Sequence, residues 1–143
     1  LALLGYTIPS FKRKIPDGTK TQTIRKLRKK PIRVGEHLYH YFGLRTKHCK
    51  KLGESICTET FFLRFHYHRE FPEPVSASRF KLNVCGFKQN NLNDNPIRIT
   101  SEELDEIARK DGFNDAIELL TALDKMHHDL EGIFQVIRWD KLN

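Results

Sequence analysis

Sustained helical periodicity is confined to one end of this 143-residue chain, from Thr100 to His128; what precedes it reads as short strands and turns. Thr100 and Glu103 have capping-box spacing, in which a hydroxyl and a carboxylate each take up an orphan backbone N–H. Leu104, Ile107 and Ala108 follow as an apolar stripe, and Gly112 stands just past the predicted end. A second helix fits "NDAIELLTALDKMHHD", with Ile117, Leu120, Leu123 and Met126 inward. Near the start, "PSFKRKIPDG" has room for one or two helical turns, with Pro9 and Ser10 at the beginning and Gly18 at the end.

Strand signals run through the rest: "LALLGYTI", "TQTIR", "EHLYHYFGL", "SICTETFFLRFHYH", "SRFKLNVCGF" and finally "EGIFQVIRWD". Alternation puts Leu38, His40 and Phe42 on one face, Phe62, Arg64 and His66 on another, and Phe80, Leu82 and Val84 in phase. "EFPEPVSAS" reads as a loop and "QNNLNDNP" as a turn cluster. Parallel strands need crossovers of about a dozen residues or more, and regular helical crossovers are missing between these segments. The expectation is one α+β domain over residues 1–143: about six strands in a mixed sheet curled toward a barrel, with two or three short helices.

Charge is divided unevenly. Residues 1–51 hold 14 of the 25 Lys and Arg with only two acids, Asp17 and Glu36, a local charge of +12; the remainder has 11 bases against 16 acids, or −5. Such asymmetry suggests a basic face turned toward a polyanion. The candidates for phosphate contacts are Arg25, Lys26, Arg28, Lys29, Lys30 and Arg33, then Arg45, Lys47, Lys50 and Lys51. Tyr39, Tyr41, Phe42 and Tyr67 offer faces on which unpaired bases could stack, Tyr41 foremost.

No apolar run approaches the ~20 residues that cross a bilayer, and "LALLGYTIPSF" lacks the basic lead and length of a signal peptide. Three widely spaced cysteines, Cys49, Cys57 and Cys85, read as reduced thiols of a cytoplasmic protein. His40, His48, Cys49, Cys57, His66, His68, His127 and His128 make no recognised zinc spacing, so no metal or other cofactor is expected. A monomer is expected.

The stretch "DGTKTQTIRKLRKKP" carries the chemistry. On a strand, Thr21, Thr23 and Arg25 share one face while Gln22 and Ile24 share the other, with Ile24 toward the core. "GTKTQTIR", its basic loop and "VGEHLYHYFGLRTK", together with "ITSEELDEIARKDGFNDAIELL" and "EGIFQVIRW", resemble the ASCH domain family of PUA-like β-barrels. The resemblance spans most of residues 5–140, with the middle, 66–99, longer than in small family members. It implies a PUA-like, ASCH-type barrel with a basic cleft for RNA or a modified nucleoside or nucleotide. Some family members are amidohydrolases that deacylate N4-acetylcytidine, using a Lys, a Thr three residues later and a Glu after the helix. Those positions fall on Lys20, Thr23 and Asp111, the last a departure, one methylene shorter than Glu.

The trio also makes physical sense alone. A threonine hydroxyl needs a neighbouring base to attack, and a lysine is a base only when neutral, which burial or nearby positive charge favours. A carboxylate can position that lysine, and Arg25 can hold an anionic or carbonyl group. One geometric condition follows. Residues i and i+3 diverge on a regular strand, so Lys20 must lie in the turn before it. The alternatives are a non-catalytic RNA-binding module and a ribonuclease using the same basic cleft.

Overall fold

A computed structural model describes residues 1–67, 84–127 and 130–142. Seven strands and three helices stand among them, in the order β1 (Ala2–Tyr6), α1 (Phe11–Lys14), β2 (Gln22–Lys26), β3 (His37–Phe42), β4 (Lys50–Tyr67), β5 (Val84–Gln89), β6 (Ile97–Arg98), α2 (Ser101–Lys110), α3 (Ala116–His127) and β7 (Phe134–Trp139). His68, Phe80, Leu82, His128 and the loop expected at 70–78 lie outside the described residues, as does the side chain of Tyr67.

The α+β expectation holds, and the sheet is mixed and curled into a half-barrel. Its spine is β4, which starts at Lys50 rather than Ser55 and is long enough to pair with β3, β5 and β7 along its length. The path runs β1-β3-β4-β5-β6, with β7 also on β4 and β2 on β7. Among the described residues only β1 and β3 pair in parallel; the other pairs are antiparallel. Register breaks at His40/Tyr41 and at Cys57/Glu59 bend the sheet, as an extra residue in one strand does. Gly53 sits opposite His40 with φ +150°, a backbone that residues with a Cβ rarely adopt, and a Cβ there would press on the tip of the Leu142 side chain.

The helices pack through the residues that their periodicity marks. Thr100 Oγ1 accepts from Glu103 N at 3.1 Å, and Glu103 Oε1 accepts from Thr100 N at 3.2 Å, the reciprocal capping box. At the other end Gly112, with φ +91°, donates to Arg109 O, and Phe113 N donates to Ala108 O. That pair of bonds is a Schellman motif, and it makes Asp111 the C-cap. In α3 the buried residues are Leu119, Leu120 and Leu123. The expectation for this helix is corrected at two positions: Ile117 is half-buried, and Met126 is exposed because the last turn of α3 reaches the rim of a cleft rather than the core.

Candidate active site

Among the described residues β1 and β2 are edge strands of the sheet, as is β6: β1 borders β3, and β2 borders β7. Arg25, on β2, reaches across to β1 and donates from Nη2 to Gly5 O at 2.6 Å. Its guanidinium also lies over the Tyr6 ring, 5.1 Å from the centroid. Beside this bridge is a cleft of about 270 Å³, and Lys20, Thr23, Arg25 and Asp111 all line it.

Lys20 meets the geometric condition. It precedes β2, and its backbone N–H donates to Lys14 O at 2.9 Å, so the side chain turns inward before strand pairing begins. The side chain is 1% exposed. Its Nζ donates to the Asp111 carbonyl at 2.8 Å and lies 3.2 Å from the Asp111 carboxylate. The ammonium also stands 4.3 Å from the Phe11 ring centroid and 5.7 Å from that of Tyr6. Lys20 thereby satisfies a carbonyl left open at the C-terminus of α2, where the helix dipole favours a cation.

Asp111 is 5% exposed and is fixed from several sides. Gln22 Nε2 donates to its Oδ1 at 3.2 Å and to Ile107 O at 2.9 Å. Gln22 Oε1 accepts from Arg138 Nε at 2.9 Å, and Arg138 reaches on to Glu59 at 2.6 Å. Burial pushes the Asp111 carboxyl above the ordinary carboxylate range, against the pull of Lys20. Burial likewise lowers Lys20 to about 8, against the pull of Asp111, with Arg25 and Lys14 adding to the depression. Both shifts run toward the neutral forms, the direction in which burial pushes any ionisable group. At neutral pH a lysine titrating there is neutral roughly a tenth of the time, far more than a solvated one.

Thr23 is buried, and its Oγ1 accepts from Arg25 Nε at 3.3 Å. A hydroxyl that accepts from a cation keeps its own hydrogen for another acceptor. The hydrogen bonds of Lys20 go to Asp111 and not to Thr23, so the two reactive groups face the same space without being joined.

Behind the cleft, Tyr6 OH is 2.9 Å from His40 Nδ1, and His40 Nε2 is 2.7 Å from Ser55 Oγ. His40 is fully buried, and burial, aided by the charges of Arg25 and Lys20, lowers it to about 4. The ring is therefore neutral, and both nitrogens serve to hold Tyr6 beneath Lys20 and Arg25. Among the metal-ligand candidates, Cys57 Sγ donates to Glu59 O, and no disulfide joins Cys49, Cys57 or Cys85 among the described residues. No group of three or more His, Cys, Asp or Glu able to hold a metal occurs among the described residues. No helix among them is long and apolar enough to cross a membrane.

The basic residues part company. Arg25, Lys26 and Arg28 line the cleft, and Arg45 lies in an adjoining depression. Lys29, Lys30, Arg33 and Lys47 are exposed and line neither; Tyr41 is half-buried and also lines neither. The sequence reading missed Tyr6, Phe11, Gln22 and Phe113. Gln22 left a trace, a polar residue in phase with the core-facing Ile24. Tyr6 left another, a polar tip closing an apolar strand. No protein-family profile, curated protein or solved structure matches the chain.

Proposed function

We propose that this protein is an ASCH-type, PUA-like amidohydrolase that removes an acyl group from the exocyclic nitrogen of a nucleobase of the N4-acylcytidine type. The observation that carries the reading is the burial of Lys20 against Asp111 in a cleft that also holds Thr23. A pure binding module needs only solvated cations for its phosphates; it gains nothing from a desolvated lysine whose proton burial has loosened. At about 270 Å³ the cleft is slightly below the usual range of ligand sites, which run from ~300 Å³ upward, and this suits one acylated base better than a paired helix.

In this reading the Thr23 hydroxyl attacks the acyl carbon while neutral Lys20 takes its proton. Arg25, already beside Thr23 Oγ1, faces the oxygen on which negative charge develops. The C–N bond breaks as the lysine proton passes to the leaving amine, giving an acyl ester on Thr23. Water, deprotonated by Lys20, then hydrolyses that ester and restores the hydroxyl. Asp111 orients Lys20 throughout. Because Lys20 is not bonded to Thr23 beforehand, bound substrate or a water completes the line between them.

The test is release of acetate from N4-acetylcytidine by wild type, Lys20→Met and Thr23→Val. Turnover by wild type that disappears in both variants supports the reading. No turnover of any acylated cytidine by folded wild type, or turnover that survives Thr23→Val, overturns it.

A further inference from the structure

We propose that the depression beside the cleft, where Arg25, Arg28 and Arg45 meet, is a phosphate subsite, so that the ligand enters with its base still attached to a phosphate. This rests on reading the cleft as a base-binding site. The two hollows are continuous: Gly5, Tyr6, Thr7, Arg25 and Arg28 line both. One ligand can therefore place an uncharged ring beside Thr23 and a charged group beside Arg28 and Arg45.

Charge says which group. Three guanidinium side chains line the depression, and no Asp or Glu does. The charge of Arg28 presses on Arg25, which burial already disfavours as a cation. Guanidinium groups present forked donors that match phosphate oxygens, and a phosphate would offset the repulsion between them.

Backbone geometry places the third arginine. Arg45 is the one non-glycine residue with positive φ among the described residues, at +70°. Its turn is tied by Thr46 N and Thr46 Oγ1, both donating to Gly43 O. A left-handed arginine is an uncommon choice where glycine would be free of strain, and here it carries a cation to the rim of the depression. Gly5 lets Leu44 pack closely over the floor of the depression, since a Cβ there would meet Leu44 Cβ at 3.0 Å. The hollow, about 690 Å³, is wider than the cleft and exceeds a single phosphate, leaving room for a sugar–phosphate segment. A mononucleotide and an RNA strand share this chemistry.

Calorimetric titration of the full chain with cytidine, cytidine 5′-monophosphate and a short unstructured RNA containing cytidine tests the proposal without needing turnover. The phosphorylated ligand is expected to bind at least about tenfold more tightly than cytidine, and Arg28→Ala with Arg45→Ala should reduce that ratio to about threefold or less. Circular dichroism checks that the double variant is folded. RNA binding tighter than the monophosphate, with a steeper salt dependence, assigns the phosphate to a strand; equal affinity assigns it to a mononucleotide, and both support the subsite. Equal affinity for cytidine and its monophosphate, or a preference that survives loss of both arginines, overturns it. Phosphate preference without deacylation would remove the hydrolase and keep the subsite; deacylation with no phosphate preference would do the reverse.

Discussion

Lys20 and Lys30 flank the same strand, yet one is sealed against Asp111 and two aromatic rings while the other stands in solvent. The difference arises within a few residues. Before β2 the chain is pinned by Lys20 N to Lys14 O and by Thr21 N to Lys110 O, which directs Lys20 under the end of α2. After β2 the chain leaves the sheet, and Lys29 and Lys30 have no helix end to enter. Equal charge therefore has unequal chemistry. The buried lysine pays in desolvation and gains access to its neutral form; the exposed ones remain hydrated and can act only through long-range attraction.

The sharpest way to break this contrast is Lys20→Met. Deacylation should fall by about 10²–10⁴, the range for losing a general base, and Asp111 is left without its buried partner, a loss of about 3–5 kcal/mol in a urea titration. Lys20→Met with Asp111→Leu should recover most of that stability and none of the activity. Recovered activity would mean that Lys20 only closes the helix.

Thr23→Val separates chemistry from structure more gently. Activity should be lost while stability falls by only about 0.5–1.5 kcal/mol, since one hydrogen bond with Arg25 goes.

pH acts on the two buried bases in ways that can be told apart. Deacylation should rise with pH to a plateau above about 8, as Lys20 becomes neutral. Because folding lowers Lys20 from its ordinary value near 10.5, the protein should also gain stability as pH rises from 8 toward 10.5. His40, lowered from 6.5 to about 4, is a second case: its penalty grows as pH falls between those values, so stability should decline there, and His40→Gln should flatten that decline.

The smallest effect belongs to the solvated strip. Replacing Lys29, Lys30 and Arg33 together by Ala should change thermal stability by no more than about 0.5 kcal/mol per site. A larger loss would show that the strip is part of the packed structure.

What could be read from the sequence follows from how local each signal is. The capping box, the glycine stop and the strand phase of β3 are set by neighbours in the chain, and they stand where the pattern put them. Asp111 sits at a helix end that disfavours it by roughly 0.3–1 kcal/mol, a small misfit that marks a residue held there by Lys20 and Gln22. The Tyr6–His40–Ser55 chain depends on β1 lying parallel to β3, and no local pattern announces a parallel pair. Met126 was in phase with the core, but phase gives the face of a helix and not how far the partner surface extends beneath it. The basic run looked uniform because sequence records charge and not burial.

Burial should make Lys20 give up its proton well below the ordinary lysine value, and NMR titration of its Nζ in the folded protein tests this most directly. A midpoint of about 8 is expected in the native state, returning toward 10.5 when unfolding relieves the burial. A midpoint at the ordinary lysine value near 10.5 in the native state would contradict it.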